Sequence, residues 1–387
     1  MKHQQMNVLL FGEFNRAHWN IKKGLEALGH KAVVASHRDG FKKVDVDIEI
    51  KDYFSSPILK KVRTLILKVI GVDVSAITIK QQIKSKKKQL SNYDVVQFIN
   101  EAPFDFKRKD QQTIFNWLKD WNSSVFLLSA GLDYPSISYA YDKKFRYSIL
   151  TPYFENKGTK KDFSPALSYI TPEHLVLHKH IFTHIEGVIS NDLDYHIPLI
   201  NHPKYLGMIP HAINLSELTY TPPNTNKKIT IFHGINSYNY YKKGNDIFEA
   251  ALVLISEKFS DKVDIIVAEN LPYKTYIRSY NKADIVLDQI YAYDQGFNAL
   301  EAMAKGKVVF TGAEQEWLDY YSIEADNIAI NALPDAEKIA EKLEWLILNP
   351  KKITEIGINA RRFVETHHDH KICAQKYVSL WQSKTKS

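Results

Sequence analysis

The chain of 387 residues holds a single cysteine, Cys373, which excludes a disulfide framework. It lacks any run of the roughly 18–20 apolar residues that a membrane-crossing helix needs. The first apolar stretch, Val8 to Phe11 in MKHQQMNVLLFGEF, is too short for a signal-peptide core and reads as a first β-strand. These absences lead us to expect a cytoplasmic protein. No cysteine accompanies the histidines His174, His178, His180 and His184, and Glu173 precedes His174 instead of completing an HExxH pattern. No metal site and no cofactor is therefore expected; THHDH at 366–370 reads as a loop entering a helix. The lysine runs have no interleaved aromatics, which argues against nucleic acid as a partner.

What is present is an ordinary globular composition, 44% hydrophobic and 25% charged. The length suggests two domains, each large enough to bury its own core. The net charge of +7 is unevenly divided: residues 1–161 hold 28 Lys and Arg against 16 Asp and Glu, and the remainder 23 against 28. The basic half would suit an anionic surface, or serve solubility alone.

Short apolar runs alternate with helical patterns throughout. NVLLF (7–11), KAVVAS (31–36), DVVQFI (94–99), SVFLLSA (124–130), EGVIS (186–190) and YLGMIP (205–210) read as buried strands in the first half. After the polar, proline-bearing stretch 216–228, the alternation restarts with ITIFHG (229–234), VDIIVA (263–268), ADIVLD (283–288) and KVVFTG (307–312). The expected fold is α/β, two tandem Rossmann-like doubly wound domains. The first spans 1–215 and a linker 216–228. The second spans 229–365, and a final helical segment covers 366–387.

Ligands of open α/β sheets bind outside the carboxyl ends of the strands. In the second domain the loop after Asp288 runs into DQGFNALEAMAKGKVVFTG (294–312), a helix of small apolar residues that carries Glu301. Gly296 would let a ligand approach the backbone, N–H groups at the helix start favour an anion, and Glu301 could accept from vicinal hydroxyls. A ribose on a diphosphate meets all three demands. The alternative is a capping-box contact from Glu301 back to Asn298. FHGINSYNYYKKGNDIFEAAL (232–252) adds Lys242, Lys243 and Gly244 at another helix entrance, where ammonium groups suit a diphosphate.

The spacing of Gly234, Lys243-Gly244, YIRSYNKADIVLDQ (276–289) and GFNALEAMAKGKVVF (296–310) resembles the donor domain of GT-B glycosyltransferases, in particular the family-4-like retaining enzymes. PHAINL (210–215), GLEALGHKAVV (24–34) and the final helix HKICAQKYVSLW (370–381) are similar to corresponding pieces of that family. The resemblance implies a two-domain fold with an interdomain cleft and a C-terminal helix crossing back to the first domain. It implies that Glu301 holds the donor ribose and that Lys243 neutralises the diphosphate. Gly296, Phe297 and Asn298 would pass beneath the sugar and phosphates, with Gly234 at the strand end. Two positions depart from the pattern: Tyr293, with Asp294 beside it, stands where the first glutamate of the pair belongs, and Ile235 replaces an arginine, a charge Lys242 would supply.

In the first domain, Gly12 in FGEFNRAHWN (11–20) would give way to donor phosphate or acceptor, with Arg16 and His18 in reach; the alternative is a simple strand-to-helix turn. That loop lacks G-x-G-x-x-G and is no dinucleotide fingerprint. An inverting enzyme would need a base on this side, for which Asp133 and Glu101 are candidates, each also readable as a turn residue near proline. In SPILKKVRTLILKVIG (56–71), Ile58, Leu59, Val62, Leu65, Ile66, Val69 and Ile70 share one helical face among lysines. Such a helix would lie on an anionic membrane surface, peripheral on its inner face, or cover the sheet. The expected function is transfer of a sugar from a UDP- or GDP-sugar to a glycan or lipid-linked acceptor in bacterial surface polysaccharide assembly, without metal and with retention. The alternatives are a nucleotide-sugar 2-epimerase of the same architecture, and a non-catalytic membrane-associated module.

Overall fold

β-Branched and aromatic residues fill two sets of short strands, the inner ones buried on both faces, the pattern of parallel sheets covered by helices. The computed structural model describes residues 5–37, 44–223 and 227–385. The first sheet contains β1 (Asn7–Phe11), β2 (Lys31–Ser36), β3 (Ile48–Glu49), β4 (Val95–Phe98), β5 (Ser124–Ser129), β6 (Gly187–Ser190) and β7 (Tyr205–Met208). Its order is β3-β2-β1-β4-β5-β6-β7, parallel throughout. The second contains β8 (Ile229–Ile235), β9 (Val263–Glu269), β10 (Ile285–Leu287), β11 (Val308–Thr311) and β12 (Ile330–Asn331), ordered β12-β11-β10-β8-β9 and also parallel. Both orders reverse direction at an inner strand, β1 in one sheet and β8 in the other, so both sheets are doubly wound. The carboxyl ends of the strands at these switch points face a cleft between the two halves.

The stretch between them, expected as a linker over 216–228, includes residues 224–226, which lie outside the described residues. Its described part packs on the second half: the Thr221 N–H donates to the Lys305 carbonyl, and Tyr220 lies where a Cβ on Gly306 would collide with it.

The chain then returns. Helix Pro350–His367 packs on helix Phe297–Ala304, and helix His370–Thr385 crosses to helix Ala17–Ala27 of the first half. The crossing is close because residue 24 is glycine; a Cβ there would sit 2.0 Å from the His370 carbonyl oxygen. Cys373, Ala374, Tyr377 and Trp381 are buried in one cluster with Val8, Leu10 and Leu25, so the last helix is part of the first domain's core.

Helix Pro57–Ile70 does not cover the sheet. None of its residues is buried, and the apolar stripe faces solvent. No helix among the described residues is long and apolar enough to cross a membrane.

Candidate active site

The cleft between the sheets encloses a cavity of about 580 Å³ lined from both halves. The first contributes Phe14, Asn100, Asp192, Asp194 and Tyr195, and the second Tyr238, Lys242, Lys243, Gln289, Asp294 and Gly296. These residues come from the segments that follow the strand ends, loops and the first turns of the helices after them.

The second domain supplies the cationic side. Gly244, in the left-handed region at φ 73°, ends the turn Tyr241–Lys243 and opens helix Asn245–Phe259. A Cβ there would meet Ile290 at 2.8 Å, so glycine is required and both lysines are held at the cleft. The Lys243 ammonium lies 3.1 Å from Asp288 Oδ1, whose carboxylate also accepts from Asn298 Nδ2 at 2.9 Å. Asp288 Oδ2 is buried without a hydrogen-bond partner among the described residues. Lys242 lies over the Tyr238 ring at 4.6 Å; burial lowers its pKa, and Asp162 opposes that shift.

Helix Phe297–Ala304 begins beside the cleft with the cavity-lining Gly296 as its N-cap and no side-chain cap, which leaves its first N–H groups without intrahelical partners. A Cβ on Gly296 would make only ordinary contacts, at 3.8 Å from Gln289, so packing does not demand glycine here. Phe297 packs on the His211 ring at 4.3 Å. Asn298 is already within the helix, bound to Asp288 and to the Tyr276 hydroxyl. The third helical position is Ala299, so the capping-box alternative for Glu301 is not available. Glu301 is half-buried one turn along the helix and is not among the cavity-lining residues.

Sequence reasoning reached Asp294 on the acidic side but missed its two companions. Asp192 and Asp194 follow β6, and with Asp294 they place carboxylate oxygens within 4.8 Å of one another. This is the one such group of potential metal ligands among the described residues, and the histidines of 174–184 are not part of it. The bonds cross the domain boundary reciprocally: Asp294 accepts from the Leu193 N–H at 3.0 Å, and Asp194 from the Tyr293 N–H at 3.2 Å. Burial, then the Asp192 charge, pushes both Asp194 and Asp294 well above the ordinary carboxylate range. His211 Nε2 lies 3.4 Å from Asp192 Oδ2. The only cue in the sequence was position, a strand end at ISND.

Tyr293 does not line the cavity. It docks the domains: its hydroxyl accepts from the Arg146 N–H at 2.9 Å, and the Arg146 guanidinium stacks over its ring at 4.9 Å. The same guanidinium binds Glu314 and Glu316 at 2.7 Å, and the Tyr147 hydroxyl donates to Glu314.

Glu101, Asp133, Gly12 and Gly234 also lie outside the cavity lining. Glu101 is fully buried, accepting from His174 Nε2 at 2.6 Å, from His178 and from the Tyr134 N–H. Burial would raise its pKa, but the two histidines outweigh that and hold it at about 2. Asp133 is the N-cap of helix Tyr134–Tyr141, accepting from Ser136 and Ser129; burial and the Glu101 charge raise it to about 6. Neither lines the cleft, so neither is placed to act as a base on an acceptor there. Gly12 sits at φ 86° where a Cβ would strike Ile99 at 2.3 Å, and a Cβ on Gly234 would strike Tyr276 at 2.8 Å. Both glycines serve packing, outside the cavity lining. Of the nearby pair, Arg16 binds Glu217 at 2.9 Å, and His18 is buried against the Gly12 carbonyl.

Residues 243–379 match the family model described as glycosyl transferase-like. No curated protein matches the sequence. Solved structures share the architecture over the whole chain. Sucrose-phosphate synthase from Thermosynechococcus elongatus is 13% identical with a TM-score of 0.64, over 98% of this chain and 99% of that one. The Anabaena protein HepE, solved with UDP and glucose, is 13% identical with a TM-score of 0.58, over 98% and 100%. A glycosyltransferase from Rickettsia africae is 14% identical with a TM-score of 0.55, over 100% of both. At such identities the likeness establishes fold. The chain thus has the GT-B architecture of these proteins over its whole length, and residues 243–379 match the glycosyl transferase-like family model.

Proposed function

We propose that this protein transfers a sugar from a UDP- or GDP-sugar to a glycan or lipid-linked acceptor, in assembly of a bacterial surface polysaccharide, at an anionic membrane face met by residues 56–71. The observation that carries the reading is the convergence, on one interdomain cavity, of Lys243 and an uncapped helix start at Gly296. Cleaving the donor breaks the bond from the anomeric carbon to the phosphate oxygen and leaves charge on the diphosphate. A preorganised ammonium and helix N–H groups stabilise that charge without a metal. In the retaining course, the acceptor oxygen bonds to the same carbon and its proton leaves on the departing phosphate. Glu301, one turn beyond the cleft, takes the ribose hydroxyls once donor is bound.

Thermal shift with nucleotides tests this. UDP or GDP at a hundred times its Kd should stabilise the protein by about 2.7 kcal/mol. Glu301→Ala should weaken binding roughly 10- to 150-fold, the worth of hydrogen bonds to a charged group. No shift with any nucleoside diphosphate would eliminate the proposal.

One observation favours a second reading. A 2-epimerase needs carboxylates and a histidine between the domains, and Asp192, Asp194, Asp294 and His211 lie there. Product analysis separates the two: an epimerised nucleotide-sugar supports the epimerase, while free nucleoside diphosphate plus sugar or glycoside supports transfer.

A further inference from the structure

Asp192, Asp194 and Asp294 meet in the cleft with no lysine or arginine paired to any of them among the described residues. Asp192 and Asp194 come from the segment after β6 and Asp294 from the segment after β10, and one oxygen of each lies within 4.8 Å of the others. The backbone fixes them there. Asp192 Oδ1 accepts from the Tyr195 N–H at 3.2 Å, Asp194 Oδ2 from the Tyr293 N–H at 3.2 Å and Asp294 Oδ2 from the Leu193 N–H at 3.0 Å. The second oxygen of Asp194 and of Asp294 makes no hydrogen bond among the described residues. The cations nearby are engaged elsewhere, Lys243 by Asp288 and Arg146 by Glu314 and Glu316. Carboxylates withdrawn from water without a cationic side chain are held by protons or by a metal ion.

A second observation points to the metal. His211 comes from a third segment, after β7, and its side chain is only 8% exposed. Its Nε2 is aimed at Asp192 Oδ2, 3.4 Å away, and its Nδ1 is buried without a hydrogen-bond partner among the described residues. Phe297 packs on the ring at 4.3 Å. The imidazole thus faces the carboxylates and has no other polar group to satisfy. Ligands held about 2.0–2.5 Å from one ion stand up to about 4–5 Å apart, and the carboxylate oxygens keep within that span. Carboxylates alone suit calcium, magnesium or manganese; an imidazole nitrogen beside them tips the set toward a transition metal. The expectation of no metal was drawn from the histidines of 174–184. Those serve elsewhere, His174 and His178 on Glu101 and His180 on Asn116.

We propose that Asp192, Asp194, Asp294 and His211 bind one divalent transition-metal cation of the manganese class, which ties the two domains together at the acidic pole of the cleft. Three of the ligands belong to the first domain and Asp294 to the second, so neither domain completes the site alone. The partners of a donor diphosphate remain Lys243 and the start of helix Phe297–Ala304. Ion binding is measured without any donor, so the inference stands apart from either reading of the reaction.

The test is titration of Mn²⁺ into the whole protein after treatment with EDTA, followed by the paramagnetic resonance signal of the free ion. One Mn²⁺ should bind per chain, at least tenfold more tightly than Ca²⁺ competes for the same site. Asp192→Asn in the first domain and Asp294→Asn in the second should each weaken binding more than tenfold. Each keeps an acceptor for its backbone N–H and removes one charge, and asparagine caps helix Leu193–Leu199 as well as aspartate does. Mn²⁺ should raise the melting temperature of the parent and of neither variant. Pulsed paramagnetic resonance of the bound ion should show a nitrogen coupling that His211→Gln removes. Far-UV spectra establish that the variants fold; should a carboxylate variant not fold, the nitrogen coupling and its loss in His211→Gln decide. Absence of binding, several weak sites that none of the substitutions alters, a loss confined to Asp192→Asn, tighter binding of Ca²⁺, or bound Mn²⁺ without nitrogen coupling would each overturn the proposal.

Discussion

Lys243 holds two relationships that a single experiment can separate. Without ligand it pairs with Asp288, 3.1 Å away, whose side chain is only 1% exposed while the lysine's is 30% exposed. Replacing it by methionine leaves the buried carboxylate with the Asn298 amide alone. Loss of one member of a fully buried pair costs about 3–5 kcal/mol. Solvent reaches this lysine and screens the pair, so we expect about 1–2 kcal/mol. If the ammonium also faces the donor's phosphates, Lys243→Met removes a charge-assisted hydrogen bond worth about 1.5–3 kcal/mol, a 10- to 150-fold rise in the Kd for UDP. Asp288→Asn keeps an acceptor for Asn298 Nδ2 and removes the buried charge. The double variant should therefore recover most of the lost stability and none of the lost affinity. Calorimetric titration with UDP and chemical denaturation of the four proteins form the cycle. Restored affinity in the double variant, or less than a threefold loss in Lys243→Met, would show that the lysine is no more than Asp288's counterion.

Two further outcomes follow from groups outside that pair. Burial holds His18 neutral, its pKa lowered from 6.5 to about 3 despite the bond to the Gly12 carbonyl. A lowered folded pKa means that the unfolded chain takes the proton first. The stability linked to this group is complete above about pH 6.5 and is lost as pH falls toward 3, up to about 5 kcal/mol in all. His18→Gln should flatten the acid limb by about 1.4 kcal/mol per pH unit between pH 4 and 6. The slope persists in part, because His368 and His233 behave alike; an unaltered slope would refute the assignment. Arg146→Ala removes the clasp on Glu314 and Glu316, half-exposed on the arginine side and so worth no more than about 1 kcal/mol. Scanning calorimetry should nevertheless show the two domains melting further apart than in the parent, and coincident transitions would count against a clasp.

The alternation of short apolar strands with helical periods was enough to read two doubly wound sheets, because parallel strands buried on both faces need continuous apolar runs and these are local in sequence. The lysines at 242–243 and the helix start at Gly296 were legible for the same reason, since turn glycine and strand end lie within a few residues of them. What could not be read was partnership across distance. Glu101 and Asp133 sit in strand-end loops like any cleft residue, and only the fold brings His174 and His178, more than seventy residues away, to close over Glu101. Helix 56–71 has the same stripe whether it covers a sheet or faces outward; the deciding contact, Arg63 with Asp73, depends on a turn between two helices. The gathering of Asp192 and Asp194 with Asp294 joins residues about a hundred positions apart across a domain boundary.

That last gathering gives the cleft a polarity with a consequence for Tyr293. The basic side is built by the second domain alone, from Lys242, Lys243 and the start of helix Phe297–Ala304. The acidic side is shared, two aspartates from the first domain and one from the second, each domain's carboxylate accepting the other's backbone N–H. A glutamate at 293 would put a fourth carboxylate beside three that already crowd one another within 4.8 Å, in a site where burial disfavours charge. A tyrosine there instead accepts from the Arg146 N–H and carries the Arg146 guanidinium on its ring face. Position 293, where the resemblance led us to expect a glutamate, thus holds a docking tyrosine next to a cluster of three carboxylates. A diphosphate can meet its cations on the second domain alone, but the opposite pole of the cavity exists only while the two domains are docked.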